Sequence, residues 1–519
     1  MMENFNLSNE LLKFKNAFLK SKKYCILYLV FVLVFILTKF GFTKYNSLPF
    51  GILIFGLVIV IGIFAITFYF KNSDEKDLYK TAFVIILLFG LLCCILMPIS
   101  CAPDEYEHFV RAEITSTGQM FPGYVNNSYM TIQSYDDLVG HVRVERDQSW
   151  NTIGVENGTI FTSSTDTLPI NYTPFAFGSA FAQNPFYGYL AQGFGMFVAK
   201  LFNMNAIWLL WFGRMCNLIL YAGMVAYAVK KTPILKVPLI AMACIPLAVY
   251  QSSSLSIDAF IDGLAIILVA YFFYMYKSPK LSIGKKEVGI FAFLCLLLGL
   301  CKISLFIFAL LILFVPRDNF ENKKYYYWGI LSIVLVFLLG ILWTKGYADI
   351  AFHNSYRQAH WIKNGISPSG QLSFVLSHFD QTLSAIFYYF QKVDYDLIFN
   401  CRDLKFNTFN SLYLMFLGAI TLLYPTERFN LKSRIGTFLV IIGLYIGTYI
   451  IFLFTWTPVG ILNPLGVQPR YFLPLFPLFT FTFSFNHMKG DKTEIDSMII
   501  LLAISFLALM LIALVGTFY

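Results

Sequence analysis

The sequence predicts an all-α polytopic membrane protein with about thirteen transmembrane helices, and three observations carry that expectation. Of 519 residues, 58% are hydrophobic and only 13% charged, whereas soluble domains carry about a quarter charged residues. Apolar runs of about 15 to 22 residues recur between short polar segments, the length needed to cross a hydrocarbon core of roughly 30 Å. Basic residues gather in short loops at alternate ends of those runs, the signature of orientation across a membrane. The formal charge of +9 therefore reports topology, and no nucleic-acid partner is expected.

The lysines between Lys13 and Lys23 place residues 1–23 in the cytoplasm. The apolar run after them is too long for a signal peptide and lacks a small-residue cleavage site, so it reads as a retained span. The first three spans fall at about 24–42, 49–70 and 80–99. Residues 100–205 form an external segment, rich in Asn, Ser, Thr, Gly and Asp up to residue 184. Long loops of this kind are usually functional. If both apolar runs Pro185–Phe202 and Ile207–Val229 crossed, every later basic loop would lie outside. The first is therefore expected to be an interfacial helix. Central spans fill 206–343, with two short ones around Lys302. A second external segment covers 344–408, with an amphipathic run from Gln371 to Phe390, and the last spans fill 409–519.

Sorted by this topology, the ionisable groups near apolar runs collect at the external side. Asp104, Glu105 and His108 follow the third span in Cys101-Ala-Pro-Asp-Glu-Tyr-Glu-His108. Gln251 and Asp258 bracket a serine-rich turn with Asp262 one turn deeper. Lys302 tops a tight hairpin, and Gln468-Pro-Arg470-Tyr471 opens a late span. Charges at such positions are costly and are expected to be paired or functional. Arg470 has the planar fork to clamp a phosphate, with Lys302 as a second cation; snorkelling to lipid headgroups is the alternative. Arg214, inside an apolar run, fits a ligand contact or a structural pairing. Asp104, then Glu105, suits general-base chemistry. Asp104, Glu105 and His108 also have the residue types for a divalent metal, but a metal-free site is preferred. Six of the nine cysteines lie in apolar runs, whereas Cys101, Cys301 and Cys401 fall near the outer side and are candidates for pairing. No Gly-x-x-x-x-Gly-Lys-Ser/Thr, Gly-x-Ser-x-Gly or His-Glu-x-x-His pattern occurs, so neither an ATP-driven pump nor a serine hydrolase is indicated.

Pro103-Asp104-Glu105-x-x-His108-Phe109, Gly213-Arg214 with Asn217, the Ser256-x-Asp258 turn and Gln468-x-Arg470-Tyr471-Phe472-x-Pro474 together resemble a family of bacterial polytopic membrane proteins. That family is classed as a domain of unknown function within the GT-C glycosyltransferase clan. The resemblance runs from about Ala82 onward. Ala102 stands where a second Pro is expected, and Pro469 where Gly is common before the Arg. The resemblance implies a GT-C-like fold with juxtamembrane helices. It also implies a polyprenyl-phosphate sugar donor, an acid in the first long external loop matched by Asp104 and Glu105, and a phosphate-binding base matched by Arg470. The expected activity is inverting sugar transfer to a cell-envelope glycan or teichoic-acid-like acceptor at the outer face of the bacterial cytoplasmic membrane. His108, Lys302, Arg470, Tyr471, Gln468, Asp258, Gln251 and Arg214 are expected to contact substrate. The rival expectations are a lipid-linked oligosaccharide flippase or transporter, and a polysaccharide polymerase or ligase.

Overall fold

The computed structural model describes residues 7–39, 48–99, 101–125, 128–141, 167–179, 181–349, 355–392, 396–398, 407–485 and 492–518. Three long helices come first, α1 (Leu7–Lys39), α2 (Leu48–Lys71) and α3 (Leu78–Leu96). The C-terminal helix Thr493–Phe518 packs against all three. It is apolar all round and buried along nearly its whole length, as a helix without a polar face must be. After α3 come α4 (Glu105–Ser116), a two-stranded antiparallel ribbon of β1 (Tyr129–Ile132) and β2 (Pro174–Phe177), and α5 (Ser134–His141) between them. Then follow α6 (Leu190–Leu201), α7 (Ala206–Lys231), α8 (Lys236–Ala243), α9 (Pro246–Ser252), α10 (Asp258–Lys277), α11 (Lys285–Cys301) and α12 (Lys323–Trp343).

Among the described residues, eight helices are long and apolar enough to cross a membrane. The expected count of thirteen is not reached, because five of the expected crossings are short or broken. The run 236–252 divides at Cys244-Ile245. Pro246 opens α9 and holds Ile245 extended at φ −54°, ψ 125°, since the residue before a proline avoids helical geometry. The stretch Pro469–Phe483 divides in the same way, into a 3-10 turn Pro469–Leu475 and a helix Phe476–Phe483, with Pro474 and Pro477 preventing one continuous helix. Helix α11 and helix Asn407–Leu423 have 17 residues each. The run after Lys302 winds as a 3-10 helix of 12 residues, Ile303–Phe314. At about 2.0 Å per residue it reaches about 24 Å, further than an α-helix of that length. Such interruptions are tolerated at membrane depth only where protein or a polar cavity surrounds them.

Helix α6 has 12 residues, a length of about 18 Å, too short to cross. It presents Leu190, Phe194, Phe197 and Leu201 outward, an apolar stripe at helical spacing that fits the interfacial role expected for Pro185–Phe202. Its inner face carries two glycines at points of close approach. A Cβ on Gly193 would lie 3.2 Å from the Ala112 carbonyl oxygen of α4, and one on Gly195 would collide with the Phe212 backbone of α7. Gly195→Val is therefore expected to force α6 off α7 and lower stability by about 1–3 kcal/mol. Gly223→Ala on α7, where nothing lies within 4 Å, is expected to be neutral or stabilising. Thermal unfolding midpoints of the two variants in detergent measure the contrast. A buried ion pair then fastens the layer, with Lys200 Nζ 2.6 Å from Glu113 Oε1 and Thr131 of β1 donating to Glu113 Oε2 at 2.7 Å.

The amphipathic run from Gln371 to Phe390 forms two helices, Pro368–Ser377 and Phe379–Lys392. Leu372, Leu376, Phe379, Leu383 and Phe387 face outward in a second exposed stripe. Gln371 itself turns inward, donating to the Ile461 carbonyl at 2.7 Å and accepting from Gly460 N–H at 3.0 Å. The cysteine expectation is corrected in part. Cys301 carries a free thiol beside Tyr187, so it is not joined to Cys101, which accepts from the Tyr250 hydroxyl. Cys401 lies outside the described residues.

Candidate functional site

The site begins where α3 ends. Asp104 takes the left-handed region at φ 59°, ψ 19°, a conformation that costs an L-residue about 1 kcal/mol and that Asp and Asn tolerate best. It occupies the N-cap of α4 without capping it. Its carboxylate turns to Arg470 instead, accepting from Nη2. A second donor of the same guanidinium, Nη1, reaches Asp258 Oδ2 at 3.0 Å. Arg470 thus joins the start of α4, the start of α10 and the proline-broken turn that precedes helix Phe476–Phe483. Its side chain is 4% exposed, against 38% for Asp104 and 12% for Asp258, so the cluster opens towards Asp104.

Lys302 stands at the junction of α11 and the following 3-10 helix, with Nζ 3.5 Å from the centre of the Tyr471 ring. Burial pulls its pKa down to about 8; Asp258 and Asp262 act upward, and Arg470 downward. Tyr471 is stacked on Phe452 at 5.2 Å, Phe452 on Trp456 at 6.5 Å, and Arg357 lies 4.7 Å from the Trp456 ring. This file of rings ties the second polar segment to the cationic side of the site.

His108 lies one helical turn from Asp104, on the same face. Its Nδ1 is 2.8 Å from the Tyr189 hydroxyl, which accepts from Asn184, and its Nε2 is 3.3 Å from Ser256 Oγ. Ser256 Oγ also accepts from Asp258 N–H at 3.1 Å. Asn217 of α7 fixes the whole turn by donating to the carbonyls of Ser254 and Ser256 at 2.8 and 3.0 Å. The polar residues of the turn therefore serve to hold Asp258 and His108 in place.

Glu105 is a correction to its assignment as a second catalytic acid, and Arg214 to its assignment as a substrate ligand. Glu105 is the first residue of α4 and faces α7, whereas Asp104, still outside the helix in the left-handed region, faces Arg470. Arg214 Nε and Nη2 grip Glu105 at 2.8 and 2.7 Å, and its remaining donors bond to the carbonyls of Cys94, Met97 and Pro98. Both side chains are 0% exposed. The pair is structural and locks the end of α3 to the start of α4. Asp104, Glu105 and His108, the residues with the types for a metal set, each bond to a different partner. Among the described residues no group of three or more His, Cys, Asp or Glu side chains is placed to hold a metal ion.

Gln251 and Gln468 are placed with buried, unsatisfied atoms. Gln251 is 0% exposed and neither end of its amide has a partner; Gln468 Oε1, Arg470 Nε and Asp262 Oδ2 share that condition among the described residues. Sequence reasoning gives no place to Tyr189 or Asn184, which belong to no charged motif or spacing pattern. Glu107 was legible as one more acid in the motif, but not as the partner of Ser179, whose hydroxyl donates to it.

Glu107 and His108 give the site end of the protein opposed pH responses. Burial pushes Glu107 up to about 7, against the Ser179 hydrogen bond; Asp104 adds to the rise and Arg357 opposes it. Its contribution is fully present below the ordinary pKa of 4.5 and is lost as pH rises towards 7. Burial pushes His108 down to about 4, against Asp258 and Asp104. Its contribution is present above 6.5 and is lost as pH falls towards 4. Between about pH 4.5 and 6.5 the two slopes oppose each other. In thermal melts across that window, Glu107→Gln is expected to leave a midpoint that rises with pH and His108→Gln one that falls. Identical profiles for the two variants would remove this account.

A bundle of apolar helices enclosing a cluster of acids and bases defines an integral membrane protein with a charged interior site. The chain belongs to the family described as Predicted membrane protein (DUF2142), which matches residues 87–479 and so includes both Asp104 and Arg470. No curated protein and no solved structure matches it.

Proposed function

We propose that this protein is an inverting glycosyltransferase that takes a sugar from a polyprenyl-phosphate donor and delivers it to a cell-envelope glycan on the extracytoplasmic side of the bacterial cytoplasmic membrane. The observation that carries the reading is the sharing of Arg470 between Asp104 and Asp258. Without substrate, the guanidinium is neutralised by two carboxylates, one of them open to solvent. A donor phosphate near Lys302 and Arg470 draws a donor group of the fork towards itself, since charge-assisted bonds to phosphate are strong and directional. That releases Asp104. The freed carboxylate takes the proton of the acceptor hydroxyl while the acceptor oxygen bonds to the anomeric carbon. The bond from that carbon to the phosphate oxygen breaks, and polyprenyl phosphate leaves with the electron pair, its charge met by Arg470 and Lys302. Direct displacement inverts the anomeric centre. The exposed stripe on α6 suits a protein that meets a lipid-borne substrate at the membrane surface.

A transport reading draws on one observation. Discontinuous helices with buried, unsatisfied polar groups also line the substrate paths of transporters. Purified protein given radiolabelled polyprenyl-phosphate sugars and an envelope-glycan acceptor separates the two. Transfer releases free polyprenyl phosphate and labels the acceptor, while movement across reconstituted vesicles with the sugar still on its lipid would overturn the enzyme.

A further inference from the structure

Gln251, Asp262 and Gln468 share a property that the catalytic step does not use. Each is a hydrogen-bonding group withdrawn from water with capacity left over. Gln251 is fully buried near the end of α9, with its amide oxygen and nitrogen both unpartnered. Asp262, 4% exposed, lies one turn below Asp258 on α10 and has Oδ2 unpartnered. Gln468 precedes the Arg470 turn and has Oε1 unpartnered. Helix α9 packs against α10 and against the turn Pro469–Leu475. The Asp262 carboxylate is within electrostatic range of Asp258, Lys302 and Arg470. A buried polar group left without a partner is costly, so a set of them on elements that pack together beside one charged cluster calls for a ligand rich in donors and acceptors.

The charge of the cluster narrows that ligand. Two aspartates, Asp104 and Asp258, pair with Arg470, and Lys302 lies beside them, so the charges of the cluster are balanced before a donor arrives. A donor phosphate adds a further negative charge, so a sugar carrying its own carboxylate would meet an excess of like charge. Hydroxyls and amides, by contrast, both donate and accept, as the unpartnered ends of Gln251 require.

We infer that Gln251, Asp262 and Gln468 form the subsite for the ring of the donor sugar and select an uncharged, hydroxyl-rich ring over a uronic acid. The inference rests on the proposed function, because it places the sugar beside the phosphate clamp of Arg470 and Lys302.

The test is equilibrium binding to the full-length protein in detergent, without turnover. The probes are polyprenyl phosphate alone and its glucose, N-acetylglucosamine and glucuronic acid esters. At least one neutral ester is expected to bind about tenfold more tightly than the bare lipid, the yield of two or three hydrogen bonds. The glucuronic acid ester gains nothing. Gln251→Leu and Asp262→Asn each bring the neutral ester to within about threefold of the bare lipid, whose own affinity is unchanged. Melting midpoints at or above that of the wild-type protein are expected for Gln251→Leu, because an apolar side chain replaces an unsatisfied amide. The inference is overturned if the variants keep the preference, if no neutral ester is preferred, or if the glucuronic acid ester binds as well as a neutral one. Loss of binding to every probe, the bare lipid included, would instead overturn the proposed function beneath it.

Discussion

Asp104→Asn is expected to reduce sugar transfer by about 10²–10⁴-fold, the usual weight of a positioned general base, while leaving donor affinity at or above that of the wild-type protein, because the phosphate then competes with a weaker acceptor for Arg470. The substitution is nearly isosteric, and the amide oxygen can still accept from Arg470 Nη2, so the contact that orients the turn is retained in weaker form. What is lost is the ability to hold the acceptor proton. Asp258→Asn provides the contrast. That carboxylate is 12% exposed, against 38% for Asp104, and it is anchored through its own backbone N–H to Ser256. Its loss is expected to weaken the seating of Arg470 and hence donor binding more than the chemical step. Single-turnover rates at saturating donor, set beside donor dissociation constants, check both halves. Wild-type turnover by Asp104→Asn would end the general-base assignment.

The largest loss of stability is expected at a pair that touches no substrate. Arg214 and Glu105 are fully enclosed and joined by two hydrogen bonds, and Arg214 also satisfies three carbonyls at the frayed end of α3. Removing one partner leaves the other charge buried and uncompensated, at a cost of about 3–5 kcal/mol. Arg214→Met and Glu105→Gln are each expected to lower the melting midpoint sharply. The double variant is expected to recover part of the loss, because both charges are then gone, although the three carbonyls remain without donors. A double-mutant cycle on melting midpoints gives the coupling. Additive losses would mean that the two residues act separately.

The same pair shows where sequence reading reaches its limit. Hydropathy locates the long apolar helices, though not the short ones Glu105–Ser116, Ser134–His141 and Ser355–Asn364, because burial in lipid or in a membrane-embedded core demands a length of apolar residues that soluble patterns do not imitate. The first and last charged motifs were legible for a related reason, since a charge beside an apolar run has to be accounted for. Asp104 and Arg470 do meet. Which way each charge faces was not legible. Asp104 and Glu105 are neighbours in the sequence but take different partners, because the helix begins between them and its first turn sends Glu105 towards α7. The breaks at Ile245-Pro246 and around Pro474 were visible as prolines. Yet hydropathy counts composition and is blind to a missing backbone donor, so interrupted segments were read as whole spans. The contacts of His108 with Tyr189 and Ser256 had no local signal, being set by how α4, the Phe186–Tyr189 turn and the serine-rich turn converge.

The clamp of Arg470 on Asp104 joins residues 366 positions apart, and its contact with Asp258 spans 212. During synthesis both aspartates are therefore delivered to the bilayer long before their counter-charge leaves the ribosome. Nascent chains that end before residue 470 hold both carboxylates without the guanidinium that receives them in the finished fold. The ion-pair cluster at the centre of this fold therefore closes only after most of the helices that carry it have been made.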